Sequence, residues 1–362
     1  MDKKLYRWAI TLAVLFVLLL CVVVVATAVG PANISIDKVA MIIISDTVSK
    51  IPYLSDHMHI TKTWTDGEAG IIMLVRLPRV ILGLLVGATL SVAGVAAQAT
   101  FKNPMADPYI LGVSSGAAFG AAVVIDFGLS AVSVAIPMLV ITLNFGALQL
   151  GAFIGGLAAA FLVLNIGRTG DKFPIETLLL AGIAISAFFS AMTSFLMYIG
   201  GHTLSQVVYW VMGALWNSSW NDIWLMLPMA LIGSIIIFAF SRDLNTLLLG
   251  DEAASHLGTN VHLLKAGMMA LMSLITAAAV SVSGIIGFVG LVTPHIMRLI
   301  VGPDHRILIP SSVLAGAMFL TLADTFSRII IQPTEVPVGI ITALIGAPFF
   351  IYLLSRKKKS VA

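Results

Sequence analysis

The sequence predicts an all-α integral membrane protein with about ten transmembrane helices, and three observations carry that prediction. Only 10% of the 362 residues are Asp, Glu, Lys or Arg, 59% are hydrophobic, and the mean hydropathy is +1.05. A soluble domain carries about 25% charged residues. Apolar runs of roughly the 20 residues that cross a bilayer recur along the chain, and Lys and Arg gather in alternate loops between them. The one cysteine, Cys21, lies in an apolar run and permits neither an internal disulfide nor a cysteine metal site. A net charge of +3 gives no basis for a nucleic-acid partner.

The ten runs span residues 8–29, 78–100, 109–126, 136–165, 177–199, 222–241, 266–284, 285–301, 307–327 and 337–355. Between the seventh and eighth only Ser281, Ser283, Gly284 and Gly287 suggest a turn, and one long tilted helix is the rival reading. The first run follows Lys3, Lys4 and Arg7 but is too long for a signal-peptide core, so it reads as a retained span. Ten spans place both termini on one side. With that side cytoplasmic, Lys102, Arg168, Lys172, Arg242, Lys265, Arg298, Arg306 and the tail Arg356 to Lys359 all lie inside, while Lys38, Lys50, Lys62, Arg76, Arg79 and Arg328 lie outside. The chain thus divides into a first span (8–29), an external loop (30–70), spans two to six (71–241), an inner loop (242–265), spans seven to ten (266–355) and a basic tail (356–362). The external loop holds Asp37, Asp46, Asp56, Asp66 and Glu68 and reads as a solvated segment; the tail reads as a topology anchor, with contact to anionic lipid as a lesser role.

Span centres lack the charged groups an ion pathway uses: Asp126, Asp324 and Arg298 sit near span ends, where snorkelling or water solvates them. The seven histidines, among them His57 and His59 in the external loop, show no metal-ligand spacing. No Gly-rich phosphate loop ends in Gly-Lys-Ser/Thr, so active transport would draw its energy from another subunit. Small residues recur at Gly83, Gly87, Ser91 and Gly94 and at Gly151, Gly155 and Gly156, which suits closely packed helices. Met192, Met197 and Met212 fit ordinary packing better than an adaptable path. Asp107, Ile110, Leu111, Ser114 and Ser115 echo Asp304, Ile307, Leu308, Ser311 and Ser312; a parallel duplication and chance similarity between apolar segments remain open.

Within the inner loop, Gly250 divides two short helical stretches, and Gly258 ends the second. Ala253, Ala254 and Leu257 then form an apolar face that either docks on a partner or lies on the membrane surface.

Glu252, Ala253, Ala254 and Gly258 resemble the EAA-then-Gly coupling loop of permeases in ATP-binding-cassette (ABC) importers. The motifs Arg76-Leu77-Pro78-Arg79, Asn103 to Pro108, Leu111 to Gly116, and Leu178 to Gly182 resemble permeases of the FecCD/BtuC type, which import ferric siderophores, haem and cobalamin. The likeness continues through Gly284, Gly287, Phe288, Gly290, Leu291, Pro294, His295 and Arg298, then Pro337-Val338-Gly339 and Gly346 to Phe349, so it runs from about residue 71 to 355.

This resemblance implies a single permease domain with the type II ABC importer fold, in the cytoplasmic membrane, dimerising with a second copy of itself around the translocation path. It implies two ABC ATPase subunits beneath and an external substrate-binding protein above. It also implies no catalysis and no cofactor on this chain, ATP and Mg being used by the partner ATPase. By the same resemblance Arg76, Arg79 and Arg328 dock the binding protein, agreeing with their stations at external span ends. Asn103, Pro104 and Met105 form a cytoplasmic gate, Ile175 and Glu176 a second, and Gly250, Asp251, Glu252, Ala253, Ala254, Leu257 and Gly258 couple to the ATPase. The two prolines, Pro104 and Pro108, stiffen the first gate. Ile175 and Glu176 depart from the small hydroxylated residues of a cobalamin importer at that point. Selectivity among siderophore, haem, cobalamin and oxyanion cargo lies largely in the binding protein. An ion-coupled carrier or channel working alone is the alternative.

Overall fold

A computed structural model describes residues 3–50, 61–137, 142–170 and 173–359; Asp56, His57, His59 and Lys172 lie outside these. Helices dominate: α1 (Lys3–Ala28), α2 (Ile36–Ser49), α3 (Asp66–Gly70), α4 (Leu77–Thr100), α5 (Val113–Asp126), α6 (Ala147–Gly167), α7 (Ile175–Gly200) and α8 (Leu204–Val211). They continue with α9 (Trp220–Ala239), α10 (Ser241–Leu247), α11 (Asp251–His256), α12 (Val261–Ser283), α13 (Val289–Val301), α14 (His305–Ser327) and α15 (Val338–Lys359). Among the described residues seven helical stretches are long and apolar enough to cross a membrane, and three shorter apolar segments, α5, α13 and Val338–Leu353 of α15, stand where the other three runs were expected. The end where α1 starts is called inner below, following the charge pattern.

Three expectations are corrected. The fourth run does not begin as helix: β1 (Ser133–Pro137) pairs antiparallel with β2 (Thr142–Gly146), Ser133 opposite Gly146, and helix starts only at Ala147. The β-branched residues Val132, Val134, Ile136 and Thr142 fit extended chain better than helix. The external loop is not simply solvated, because α2 buries Val39 and Ile42 against Ile72 and ties Lys38 to Glu68 at 2.7 Å. The second span also starts early: Thr65 caps α3 in a capping box with Glu68, and a π-helical turn, Ile71–Arg76, joins α3 to α4 without a break.

The core is built on α4, which packs on α9, α12, α13 and α14. Glycine permits this. A Cβ at Gly94 would overlap the Gly290 carbonyl of α13, and one at Gly87 would overlap that of Gly316 in α14, so both helices meet α4 backbone to backbone.

Gly284 does divide the seventh and eighth spans. Helix α13 has 13 residues, about 20 Å, against a hydrocarbon core of about 30 Å, so the break lies at membrane depth. Irregular backbone there must find partners inside the protein. It finds one at another interruption, where Ala214 N–H donates to the Ser283 carbonyl at 2.8 Å, and the neighbouring Gly213 carbonyl accepts from Gly339 N–H at the start of α15 at 3.3 Å. Tyr109 Oη adds a bond to the Ile286 carbonyl at 3.0 Å.

Gly94→Leu forces α4 from α13 and is expected to cost about 1–3 kcal/mol or more. Gly267→Leu, where an added Cβ meets nothing within 4 Å, serves as control. Thermal unfolding in detergent should show a lowered midpoint for the first variant only.

Candidate functional site

At the outer end the π turn and the start of α4 bring Arg76 and Arg79 beside Arg328, which follows α14 directly. All three were expected as outward-facing charges. They are instead buried, at 4%, 5% and 3% exposure. The reason lies in the end of α1, whose last carbonyls have no partner within the helix. Arg76 Nη1 donates to the carbonyls of Thr27 and Ala28 at 3.2 and 2.7 Å, and its Nη2 donates to that of Ala32. Arg328 donates to those of Ala26 and Val29 at 3.0 and 3.2 Å. Arg79 turns to acids: Nε reaches both Asp324 oxygens at 3.0 Å, Nη2 reaches Oδ1 at 2.9 Å, and Nη1 reaches Glu335 at 2.7 Å. Asp324, expected to be solvated at a span end, is therefore buried and paired, and Arg328 Nε adds a contact at 3.4 Å.

The inner loop has the predicted form. Helices α10 and α11 flank Gly250 at φ 111°, and Gly258 follows α11 at φ 89°, a backbone that suits glycine. The expected apolar face differs, because Ala254 is fully buried within the chain. Leu249 and Leu257, 66% and 63% exposed, are among the apolar side chains the loop offers outward, with Leu248 and Leu263.

Asp251 opens α11 and binds Lys102 and Lys265, each at 2.7 Å. Partial burial disfavours its charge, but hydrogen bonds from both lysines prevail and hold its carboxyl below the usual range. Lys102 immediately precedes the turn Asn103, Pro104 and Met105. This turn is closed by Asn103 Oδ1 accepting from Met105 N–H at 3.0 Å. The structure thus joins the inner loop to the expected first gate, a connection the sequence did not reveal because 149 residues separate Lys102 from Asp251. Of the second expected gate, Ile175 packs against the core and Glu176 is exposed at the start of α7.

A second inner cluster forms around Asp304, which accepts from Arg306, Lys4 and Asn245. The Arg306 bonds, aided by Asn245 and Lys4, outweigh partial burial and hold Asp304 well below the carboxylate range. The ring of Trp8 lies beside both Lys4 and Arg306. With Arg76 and Arg328 above, α1 is fastened at both ends. Asp107 and Asp304, the two ends of the sequence echo, both N-cap the helical segments that follow them, each accepting from the N–H two residues on.

In the outer half a cavity of about 560 Å³ adjoins the break, lined by Gln149, Gln206, Tyr209, Trp216, Asn217 and Asp222 among others. Among the described residues no group of three or more His, Cys, Asp or Glu is placed to hold a metal ion.

Asp324→Asn leaves Arg79 buried with one partly exposed partner and should cost roughly 3–5 kcal/mol, read as a lower unfolding temperature in detergent. At the loop, the depressed carboxyl of Asp251 contributes stability that is present above about pH 4 and lost as pH falls further. Asp251→Asn should therefore raise amide exchange across 248–260 at neutral pH, an opening the unaltered chain reaches only in acid.

Comparison with known proteins agrees with this architecture. A profile of the FecCD transport family matches residues 16–356. The cobalamin import system permease protein BtuC of Halobacterium salinarum is 42% identical over 94% of this chain and 95% of its own. The hemin transport system permease protein HmuU of Yersinia pestis is 41% identical over 80% of this chain and 83% of its own. The Fe(3+) dicitrate transport system permease protein FecD of Escherichia coli is 37% identical over 89% and 100%. A solved metal-chelate type ABC transporter in an inward-facing conformation superposes with a TM-score of 0.78 at 31% identity, covering 95% of this chain and 98% of that one.

Proposed function

The chain belongs to the FecCD transport family, and from that premise we propose that it is the permease subunit of a binding-protein-dependent ABC importer for a metal chelate: an iron siderophore, haem or cobalamin. It is a multi-pass membrane component, as its relatives are, and performs no covalent chemistry. Two copies enclose the path, both termini face the cytoplasm, two ATPases supply the energy from ATP and Mg, and an external binding protein delivers cargo. The observation that carries the reading is the ion-paired junction Lys102, Asp251 and Lys265, which places the loop beside the turn at Asn103, Pro104 and Met105. Force applied to α11 by an ATPase reaches that turn through 2.7 Å contacts rather than through flexible chain.

In this reading Leu249 and Leu257 meet the ATPase, together with Gly250, Glu252, Ala253 and Gly258 around them. Ala254 holds the loop against its own chain. The docking role of Arg76, Arg79 and Arg328 requires them to exchange internal acceptors for carboxylates of the binding protein. Glu335, partly exposed on Arg79, is the partner released most readily. Bilayer lipid covers the apolar groove of about 660 Å³ between α9 and α12. Cobalamin and iron chelates stay level as cargoes, since relatives named for each match nearly end to end. The buried acids Asp222 and Asp324 are hydrogen-bonded, which disfavours a carrier that exchanges ions through them.

Uptake of labelled cobalamin and of ferric siderophores, in cells with and without this gene and its own ATPase and binding protein, tests the reading. Uptake of one cargo that requires both gene and ATPase is expected; uptake driven by an ion gradient without the ATPase would overturn it. Leu257→Arg should abolish ATPase association with little effect on folding. Lys102→Ala should keep association and ATP hydrolysis while uptake falls several-fold.

A further inference from the structure

Arg79 and Arg306 present the same edge of the guanidinium to a carboxylate. Nε and Nη2 of Arg79 meet Asp324 at 3.0 and 2.9 Å, and those of Arg306 meet Asp304 at 3.0 and 2.7 Å. Two parallel N–H groups on this edge match two oxygens of a carboxylate or phosphate.

Arg298 has the same edge and nothing on it. Its Nε and Nη2 are both buried without a hydrogen-bond partner among the described residues. One turn earlier on α13, His295 leaves Nδ1 buried and unpartnered. His305 bonds Asn245 through Nδ1 at 2.8 Å and leaves Nε2 in the same condition. Gln98, whose Nε2 donates to the Leu291 carbonyl at 3.1 Å, leaves Oε1 unpartnered. The acid at this end of α14, Asp304, is already taken by Arg306, Lys4 and Asn245. Orphaned buried donors are rare, and those of a charged group are the costliest to leave unmade.

We propose that Arg298 is an oxyanion site, its Nε and Nη2 edge taking a carboxylate or phosphate group at the inner end of the transport path. In this conformation the edge is covered, so the anion enters when the inner end rearranges. The oxyanion is either a substituent of the cargo chelate or free phosphate. As a cargo contact the site rests on the importer reading; as an oxyanion site it does not.

Equilibrium dialysis of the purified full-length chain in detergent against radiolabelled phosphate tests the site. Saturable binding of one phosphate per chain, displaced by citrate, is expected. It should weaken about tenfold or more in Arg298→Lys, which keeps the charge and loses the planar fork. Arg306→Lys, whose arginine edge is filled by Asp304, should bind as the unaltered chain does, and gel filtration reports that each variant is folded. An unaltered chain that binds neither phosphate nor citrate saturably, or an Arg298→Lys variant that binds equally well, would overturn the site. Uptake in cells with the partner subunits separates the sources. A cargo source predicts that Arg298→Lys loses a carboxylate-bearing ferric chelate in preference to an uncharged trihydroxamate. Equal uptake of both with phosphate binding lost assigns the site to free phosphate. Failure of the importer reading appears separately, as no uptake of any cargo by the unaltered chain.

Discussion

Every backbone polar group that leaves a helix inside the hydrocarbon must be met by another part of the chain, since lipid meets none. That constraint organises this structure. The interruption from Gly284 to Phe288 persists beside a second one at residues 213–214, where Ala214 bonds the last carbonyl of α12 and Gly213 accepts from Gly339 at the start of α15. The end of α1 is treated in the same way, except that guanidinium groups of Arg76 and Arg328 stand in for missing N–H donors. Helix dipoles strengthen the second arrangement, because a cation at a helix C-terminus meets the negative end.

Charge is distributed with a related economy. At the outer end, three arginines and two acids share one buried cluster, and each arginine finds acceptors. At the inner end Asp251 and Asp304 are each shared among several donors, which lowers their carboxyl pKa and fixes short loops against the bundle. Arg298 stands apart in having a guanidinium edge, Nε and Nη2, that is buried with no acceptor among the described residues. The inner end thus holds both an ion-paired junction and an unpartnered guanidinium edge.

Hydropathy and charge placement were sufficient for the count of spans, and glycine at 250 and 258 for the two-helix loop, because these depend on local composition and on backbone freedom. The break at Gly284 was left open by the sequence, since hydrophobicity scarcely changes there; packing against Trp210 and Gly213 decides it. The fourth run misled because an apolar stretch reads alike as helix or strand when its period is unclear. The burial of Arg76, Arg79 and Arg328 was not legible for another reason: a span-end cation goes to whichever acceptors lie nearest, and most of those acceptors belong to α1 and α14, distant in sequence.

The sequence by itself determined the solvent of this protein, its helical plan, its family resemblance and the two-helix loop around Gly250, all of which follow from short-range patterns. Only the tertiary structure decided which charges are paired, that Lys102 meets Asp251, that Ala254 is buried while Leu249 and Leu257 are offered outward, and that Arg298 lacks a partner. Electrostatic pairing depends on distance in space as an inverse of separation and on local burial, and neither quantity can be read from spacing along the chain.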